Sequence, residues 1–146
     1  MKVVTASAYV LLDGRFVFQV GPNKAGDRLG VVRLGGHVEP GETPLACVVR
    51  EVQEEAALSV RVVPAPATYQ VGPDGKLEAA VPGSWPPDET APVLVGYRAP
   101  GEGALTYLAR AEGTPVPEKG RGLLILNASD ILWLMEERRT LRQYLA

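Results

Sequence analysis

The most informative stretch of the chain is residues 36–58, which read GHVEPGETPLACVVREVQEEAAL. Thr43 is a good N-cap, and Pro44 suits the first helical position because its missing N–H needs no partner there. The apolar residues that follow recur at spacings of three and four, which predicts a helix as far as about residue 56 with one buried stripe. This stripe consists of Leu45, Val48, Val52 and Ala56.

Three carboxylates share another part of the same helix. Glu51, Glu54 and Glu55 stand at i, i+3 and i+4 and therefore lie on one face, where they repel each other. A solvated helix face is the ordinary interpretation of such a charge run. Magnesium, however, is bound by oxygen ligands, usually a few carboxylates together with water and phosphate oxygens. Arg50 precedes Glu54 by four residues and can orient a carboxylate or reach back toward Glu42.

The spacing of these residues favours the metal-binding interpretation, because the segment resembles the Nudix box. That motif is Gly, five residues, Glu, seven residues, then Arg-Glu-hydrophobic-any-Glu-Glu-any-Gly-hydrophobic. A chance match in one window is below about one in ten million at average residue usage. Ala57 stands where the family has Gly, so we expect an altered helix end rather than lost metal binding. The matching residues are Gly36, Glu42, Arg50, Glu51, Val52, Glu54, Glu55 and Leu58.

The resemblance implies a fold and an activity. It implies an α/β (α+β) fold, the Nudix-type α/β/α sandwich with a mixed β-sheet, as one domain over residues 1–146. The implied activity is a Mg²⁺-dependent pyrophosphohydrolase, with Mn²⁺ as a substitute ion. It would cleave a diphosphate linkage in a nucleoside diphosphate-X metabolite: a nucleotide, a dinucleoside polyphosphate, ADP-ribose or a nucleotide sugar. The alternative is a non-catalytic Nudix-like domain that binds such metabolites; an isomerase on the same fold and an interaction domain fit the residues less well.

The resemblance also implies residue roles. The metal ligands would be Glu51, Glu54 and Glu55, joined by the carbonyl of Gly36 or of Gly35. Glu54 or Glu55 would also act as the base in catalysis. Arg50, counted with the catalytic group, and Glu42 would hold the loop to the helix. Some family members use a carboxylate from a distant loop, which makes Glu89 and Glu118 outside candidates.

Three cations precede the motif, namely Lys24, Arg28 and Arg33. All three are candidate substrate-binding residues, and Arg33 is the best phosphate contact, with a surface ion pair as the alternative. His37 has no second His or Cys at a metal-ligand spacing, so we expect an exposed loop histidine. We assign Cys47, within the predicted helix, to packing.

The rest of the chain predicts mainly strands. Asp13-Gly14 is a strong hairpin signal between strands at 3–12 and 15–20. Residues 35–42 are predicted to be a loop opened by two glycines, and 64–92 a Pro-rich insertion with a hairpin about Pro73-Asp74-Gly75. Trp85, within this insertion, is less easily explained by core packing. Further elements are strands near 29–33, 59–63, 93–98, 104–110 and 123–126, and a helix from about 130.

Composition limits the partners. The chain has 146 residues, 46% of them hydrophobic and 22% charged, and a net charge of −2. We therefore expect a small phosphorylated metabolite as partner, with no nucleic-acid polymer and no membrane, in a protein compatible with a homodimer. A polyanionic substrate would need local cations to neutralise it. The single cysteine and the lack of a signal-peptide pattern or long apolar run indicate a cytoplasmic protein.

Overall fold

The computed structural model describes residues 1–22, 24–27, 29–81, 83–86 and 90–137. Its helices are α1 (Pro44–Ala56) and α2 (Ala128–Glu137). Within the described residues no helix is long and apolar enough to cross a membrane. The strands are β1 (Lys2–Leu12), β2 (Arg15–Pro22), β3 (Leu29–Val32), β4 (Leu34–His37), β5 (Ser59–Val63), β6 (Tyr69–Val71), β7 (Leu77–Ala79), β8 (Leu94–Ala99), β9 (Glu102–Glu112) and β10 (Gly122–Leu126).

The sheet is built around β1 and β9, which run parallel to each other along almost their whole length. The other side of β1 pairs with β4 near its start and with β2 near its end, both antiparallel. The outer side of β9 likewise pairs with β8 and β5. The strand order is β10-β2-β1-β9-β8-β6-β7, with β3, β4 and β5 as branches. Because β6 and β8 are also parallel, the sheet is mixed, as predicted.

Two apolar clusters lie on opposite faces of this sheet. The larger one contains the buried side of α1, including Val48 and Val52, packed against β1 and β9. On β2 the alternation sends Val17 into this cluster and Phe18 into the other. Ile131 of α2 contacts the second cluster. The helix–sheet–helix layering confirms the predicted α/β/α fold.

The prediction for residues 35–42 was partly wrong. Leu34–His37 form β4, which pairs with residues 5–8 of β1, and the loop begins only after it. Glycine weakens a strand and so signals a loop, but here it allows a close approach. A Cβ on Gly35 would overlap the backbone of Ser7, so only glycine lets β4 lie at this position.

The Pro-rich segment contains the predicted hairpin. β6 and β7 pair antiparallel, and the turn between them is closed by the N–H of Gly72 donating to the carbonyl of Lys76 at 2.8 Å. The interpretation of Trp85 was wrong, because its side chain is half-buried against the larger core cluster. The Pro-rich segment therefore combines a short hairpin with a loop that contributes to the core.

The two ends of α1 are fixed differently. At the start, the hydroxyl of Thr43 accepts from the N–H of Ala46 at 3.1 Å, as an N-cap should. At the end, Ala57 adopts the left-handed conformation, with φ 56°, that the family glycine would supply. The N–H groups of Val116 and Glu118 donate to the carbonyls of Ala56 and Glu55 at 2.9 and 3.2 Å. The loop after β9 is thereby held against the end of the helix.

Candidate active site

Strand β4 brings two glycines against the acidic side of α1. The N–H of Gly35 donates to Glu55 Oε1 at 2.7 Å. A Cβ on Gly36 would overlap the carboxylate of Glu51. The backbone of β4 therefore lies directly against two of the three predicted ligands, Glu55 and Glu51. At Gly36 any side chain would prevent this close approach.

Glu55 is the carboxylate with the most unusual environment. Its side chain is turned inward with the core residues of α1, and the residue is only 7% exposed. The pKa of Glu55 is raised to about 7, mainly by burial and then by the charges of Glu51, Glu118 and Glu54, against the lowering effect of the hydrogen bond from Gly35. The site thus concentrates negative charge where little water can screen it.

Arg50 connects the loop after β4 to the helix. Its Nε and Nη2 donate to the two oxygens of Glu42 at 2.8 and 2.9 Å, a bidentate pair, and Nη2 also donates to the carbonyl of His37 at 3.1 Å. This hydrogen bonding lowers the pKa of Glu42 to about 2. The pKa of Arg50 is raised by the same hydrogen bonds to Glu42, and further by Glu51 and Glu39. Both groups are therefore charged throughout the physiological range.

The remaining nitrogen of Arg50 contacts two predicted ligands. Nη1 donates to Glu51 at 3.0 Å and to Glu54 at 3.3 Å. Within the described residues, no three acidic, Cys or His side chains converge as a ready-made metal cage. The carboxylates share a face, but Arg50 holds Glu51 and Glu54 while Gly35 holds Glu55.

The donor set nevertheless fits a divalent cation. All of the candidate ligands offer oxygen, which Mg²⁺ prefers, and the repulsion that raises the pKa of Glu55 is what a dication would relieve. Glu54 and Glu51 would have to exchange an Arg50 contact for the ion. Arg50 would keep its bidentate contact with Glu42. The exchange would break only the hydrogen bonds from Nη1 to Glu51 and Glu54.

Glu118 lies nearer to the three carboxylates than its sequence position suggests. The loop after β9 places its backbone on the end of α1, and its charge acts on Glu55. The amide of Gln19, a buried residue on β2, donates to Glu118 Oε2 at 3.2 Å. The only sequence signal for Glu118 is its place in a loop between β9 and β10. Glu89, the other outside candidate, lies outside the described residues.

A cleft of about 530 Å³ opens on the side of Gly35 and Gly36 away from α1. Arg33 lines it, and this arginine donates to the hydroxyl of Tyr9 at 3.3 Å while stacking on the Tyr9 ring at 5.5 Å. Lys24 is exposed in the turn after β2 and does not line the cleft, and Arg28 lies outside the described residues. Tyr97 and Arg98 of β8 also line it. No local pattern in the sequence singles out Arg98, because only the strand pairing brings β8 to the cleft.

His37 and Cys47 lie at the edges of the site. His37 is exposed, as expected, but it ends β4 instead of sitting in a loop. Cys47 is fully buried, and its Sγ lies 3.4 Å from the carbonyl of His37 and 3.6 Å from that of Gly36. Burial raises the pKa of the Cys47 thiol to about 11, so the group stays protonated. This agrees with a packing role.

Comparisons with known proteins establish the family of this α/β/α protein with an acidic helix. The NUDIX domain model matches residues 1–134, so the chain belongs to the Nudix family. Solved structures of Nudix hydrolases share its fold. The search of curated proteins found no match.

Three solved structures illustrate the shared fold. A NUDIX-family hydrolase from Clostridium perfringens has a TM-score of 0.60 at 18% identity, covering 90% of this chain and 85% of that one. A NUDIX hydrolase from Nitrosomonas europaea has a TM-score of 0.56 at 17% identity, and the match covers 94% of this chain and 80% of that one. The E. coli ORF135 protein has a TM-score of 0.55 at 20% identity, and the match covers 91% of this chain and 79% of that one. At these identities the likeness concerns the fold alone.

Proposed function

We propose that this protein is a Mg²⁺-dependent pyrophosphohydrolase that cleaves a diphosphate linkage in a nucleoside diphosphate-X metabolite. The observation that carries the proposal is the buried Glu55 carboxylate, held by Gly35 beside three further carboxylates that repel it. Nothing in the packing of the core requires this concentration of charge. A site for divalent cations explains this concentration of negative charge, because bound cations would neutralise it.

In this proposal the ligands are Glu51, Glu54 and Glu55, with the carbonyl of Gly36. Bound magnesium would supply charge neutralisation of the phosphate oxygens and a lowered pKa for the attacking water. Arg50 and Glu42 keep the loop after β4 fixed on α1, so that the Gly36 carbonyl stays beside the carboxylates. Preorganised charge of this kind is the main contribution a protein makes to phosphoryl chemistry.

The reaction is a hydrolysis. The water oxygen forms a bond to one phosphorus, the bond from that phosphorus to the bridging oxygen breaks, and the bridging oxygen leaves on the other phosphate. One water proton must be accepted by a base. We assign this role to Glu54, because its side chain is 53% exposed and is therefore the most accessible of the three to water.

Replacing Glu54 with Gln tests the assignment. We expect turnover to fall by about 100-fold or more while the melting temperature changes little, because the side chain faces solvent and not the core. The neighbouring exposed residue Gln53, replaced by Ala, is the matched control and should retain activity. Wild-type turnover in Glu54→Gln would remove Glu54 from the mechanism.

The substrate is found with a panel of dNTPs, ADP-ribose, diadenosine polyphosphates and nucleotide sugars, each with and without Mg²⁺. Hydrolysis products that appear only with the metal support the proposal. A panel in which ligands bind but none is cut would favour the non-catalytic binding domain instead.

A further inference from the structure

The cleft beside Gly35 and Gly36 is cationic, although the protein as a whole is anionic. Its lining includes Arg33 and Arg98 and, among the described residues, no Asp or Glu. The net charge of the chain is −2, and the acidic side of α1 lies directly behind the two glycines. A polyanion therefore meets favourable charge in the cleft and needs metal ions only on the α1 side.

The floor of the cleft is polar but uncharged. Ser7 of β1 and Thr106 of β9 are neighbours in the parallel pair, and their hydroxyl oxygens are 3.1 Å apart. Gly96 and Ala104, paired on the adjoining strands, leave the floor open. Hydroxyl groups can donate to a phosphate or carboxylate oxygen without competing for its charge.

Arg98 lies on the cleft side of β8. Gly96, two residues earlier, pairs with Ala104 at the floor of the cleft, and side chains two residues apart in a strand share a face. Arg98 is accordingly one of the residues that line the cleft. The pairing of β8 with β9 shifts register between Tyr97 and Ala99, so the regular ladder ends beside Arg98.

The two arginines differ in how they are held. Arg33 is fixed by stacking and hydrogen bonding to Tyr9. Arg98 is exposed and makes no hydrogen bond or ion pair with any residue that the structure describes. Its charge is therefore available to a ligand in the cleft that it lines.

We propose that Arg98 determines substrate specificity by binding a negatively charged group on X, beyond the two phosphates of the scissile linkage. This inference rests on the proposed function. The α1 side holds the diphosphate that is cut, and the cleft beyond Gly36 receives the group attached to it. The enzyme then prefers a substrate whose X carries a phosphate or carboxylate over one whose X is neutral.

The test compares Arg98→Ala with wild type on three substrates. One is a nucleoside triphosphate, one a nucleoside diphosphate linked to a phosphorylated sugar, and one a nucleoside diphosphate linked to a neutral sugar. Loss of a charge-assisted hydrogen bond should raise KM for the anionic substrates by about tenfold or more, with kcat and the neutral substrate changed by less than about twofold. The two anionic substrates show whether the charge recognised is a terminal phosphate or one carried on a sugar.

Two further variants control the result. Arg98→Lys keeps the charge and should recover part of the lost affinity. Arg61→Ala removes an exposed arginine of β5 that does not line the cleft, and it should leave every KM unchanged. An equal KM increase for neutral and anionic substrates, or no increase for either, would overturn the inference.

A binding measurement separates this inference from the proposed function. Each ligand is titrated by calorimetry into Glu54→Gln, with and without Arg98→Ala, in the presence of Mg²⁺. Weaker binding of the anionic ligands alone supports the role of Arg98 even if the wild-type protein cuts none of them. Hydrolysis by wild type with no difference in binding contradicts the inference and leaves the proposed function intact.

Discussion

Gly36 shows how one residue without a side chain organises this site. A Cβ at this position would overlap the carboxylate of Glu51, and the contact is with a group that the proposed mechanism needs in place. The main-chain angles of Gly36 are not the constraint, since it lies within the regular pairing of β4 with β1. The requirement for glycine here is one of space.

Replacing Gly36 with Ala should therefore displace Glu51. We expect turnover to fall by about tenfold or more, because misplaced ligands lose charge stabilisation of the transition state. The matched control is Gly122→Ala in β10, where a Cβ would meet Val20 at an ordinary 3.9 Å. Full activity in Gly36→Ala would show that Glu51 can move without consequence.

Ala57 is the second residue whose backbone matters. It holds the left-handed cap with φ 56°, and its N–H donates to the carbonyl of Gln53 at 3.0 Å. The expectation of an altered helix end was wrong in this respect, since the chain keeps the capping conformation and accepts the strain of a Cβ instead. Such a conformation costs a non-glycine residue about 1 kcal/mol.

Ala57→Gly should relieve that strain. We expect the free energy of unfolding in urea to rise by about 0.5–1 kcal/mol, because the relief of strain outweighs the freedom that glycine gains in the unfolded chain. Ala46→Gly, at an exposed position in the first turn of α1, is the opposite control and should be destabilising. Activity should not change in Ala57→Gly, because the helix end already has the required geometry.

Among the elements, α1 and the loop after β4 act as a pair through Arg50 and Glu42. The folded-state pKa of Glu42 is about 2, below its ordinary value of 4.5, because Arg50 donates hydrogen bonds to the carboxylate. Its ionised form is favoured in the folded state, so its contribution to stability is present above pH 4.5 and is lost as pH falls toward 2. The loop that carries Glu42 should then release from the helix.

Glu42→Gln should reproduce this loss at neutral pH. We expect the variant to be less stable than wild type at about pH 6, and the difference to disappear between pH 4.5 and 2, as followed by urea unfolding. Glu39→Gln is the control, because Glu39 lies 3.8 Å from Arg50 and its side chain is 64% exposed. A difference that persists unchanged in acid would mean that Glu42 does not act through its charge.

Elements defined by local signals were predicted well from the sequence. The Thr43 cap with Pro44 fixed the start of α1, and Asp13-Gly14 fixed the β1–β2 hairpin. β4 was missed because its pairing with β1 depends on a close approach that local propensity cannot reveal. For the same reason Arg98 of β8 was not identified, since it reaches the site through long-range pairing, and Glu118 in the loop after β9 was named only as an outside candidate.

At the scale of the whole molecule, charge is separated across a wall of two glycines. The carboxylates of α1 lie on one side of Gly35 and Gly36, and the cleft with its arginines lies on the other. Glu55 is the most buried of these carboxylates, and its folded-state pKa of about 7 exceeds its ordinary value of 4.5. Between these pH values the folded protein binds more protons than the unfolded chain.

The metal-free protein should therefore lose stability as pH rises from 4.5 through 7, because the folded state must then ionise Glu55 beside other carboxylates. After allowance for solvent screening, we expect this contribution to be about 2 kcal/mol. It is measured as the difference in unfolding free energy between wild type and Glu55→Gln in the presence of a chelator, followed across this range. A difference independent of pH would show that Glu55 has an ordinary pKa.

Added Mg²⁺ should reverse this trend, since a dication binds the ionised carboxylates of the folded chain and offsets their repulsion. Mass action then raises the unfolding free energy by about 2.7 kcal/mol at a hundred times the dissociation constant. Because protons and metal compete for Glu55, the rise in melting temperature should be larger at about pH 8 than at about pH 5. Glu55→Gln should show little rise at either pH. An equal rise in the variant would place the ion elsewhere, on carboxylates that do not include the buried one.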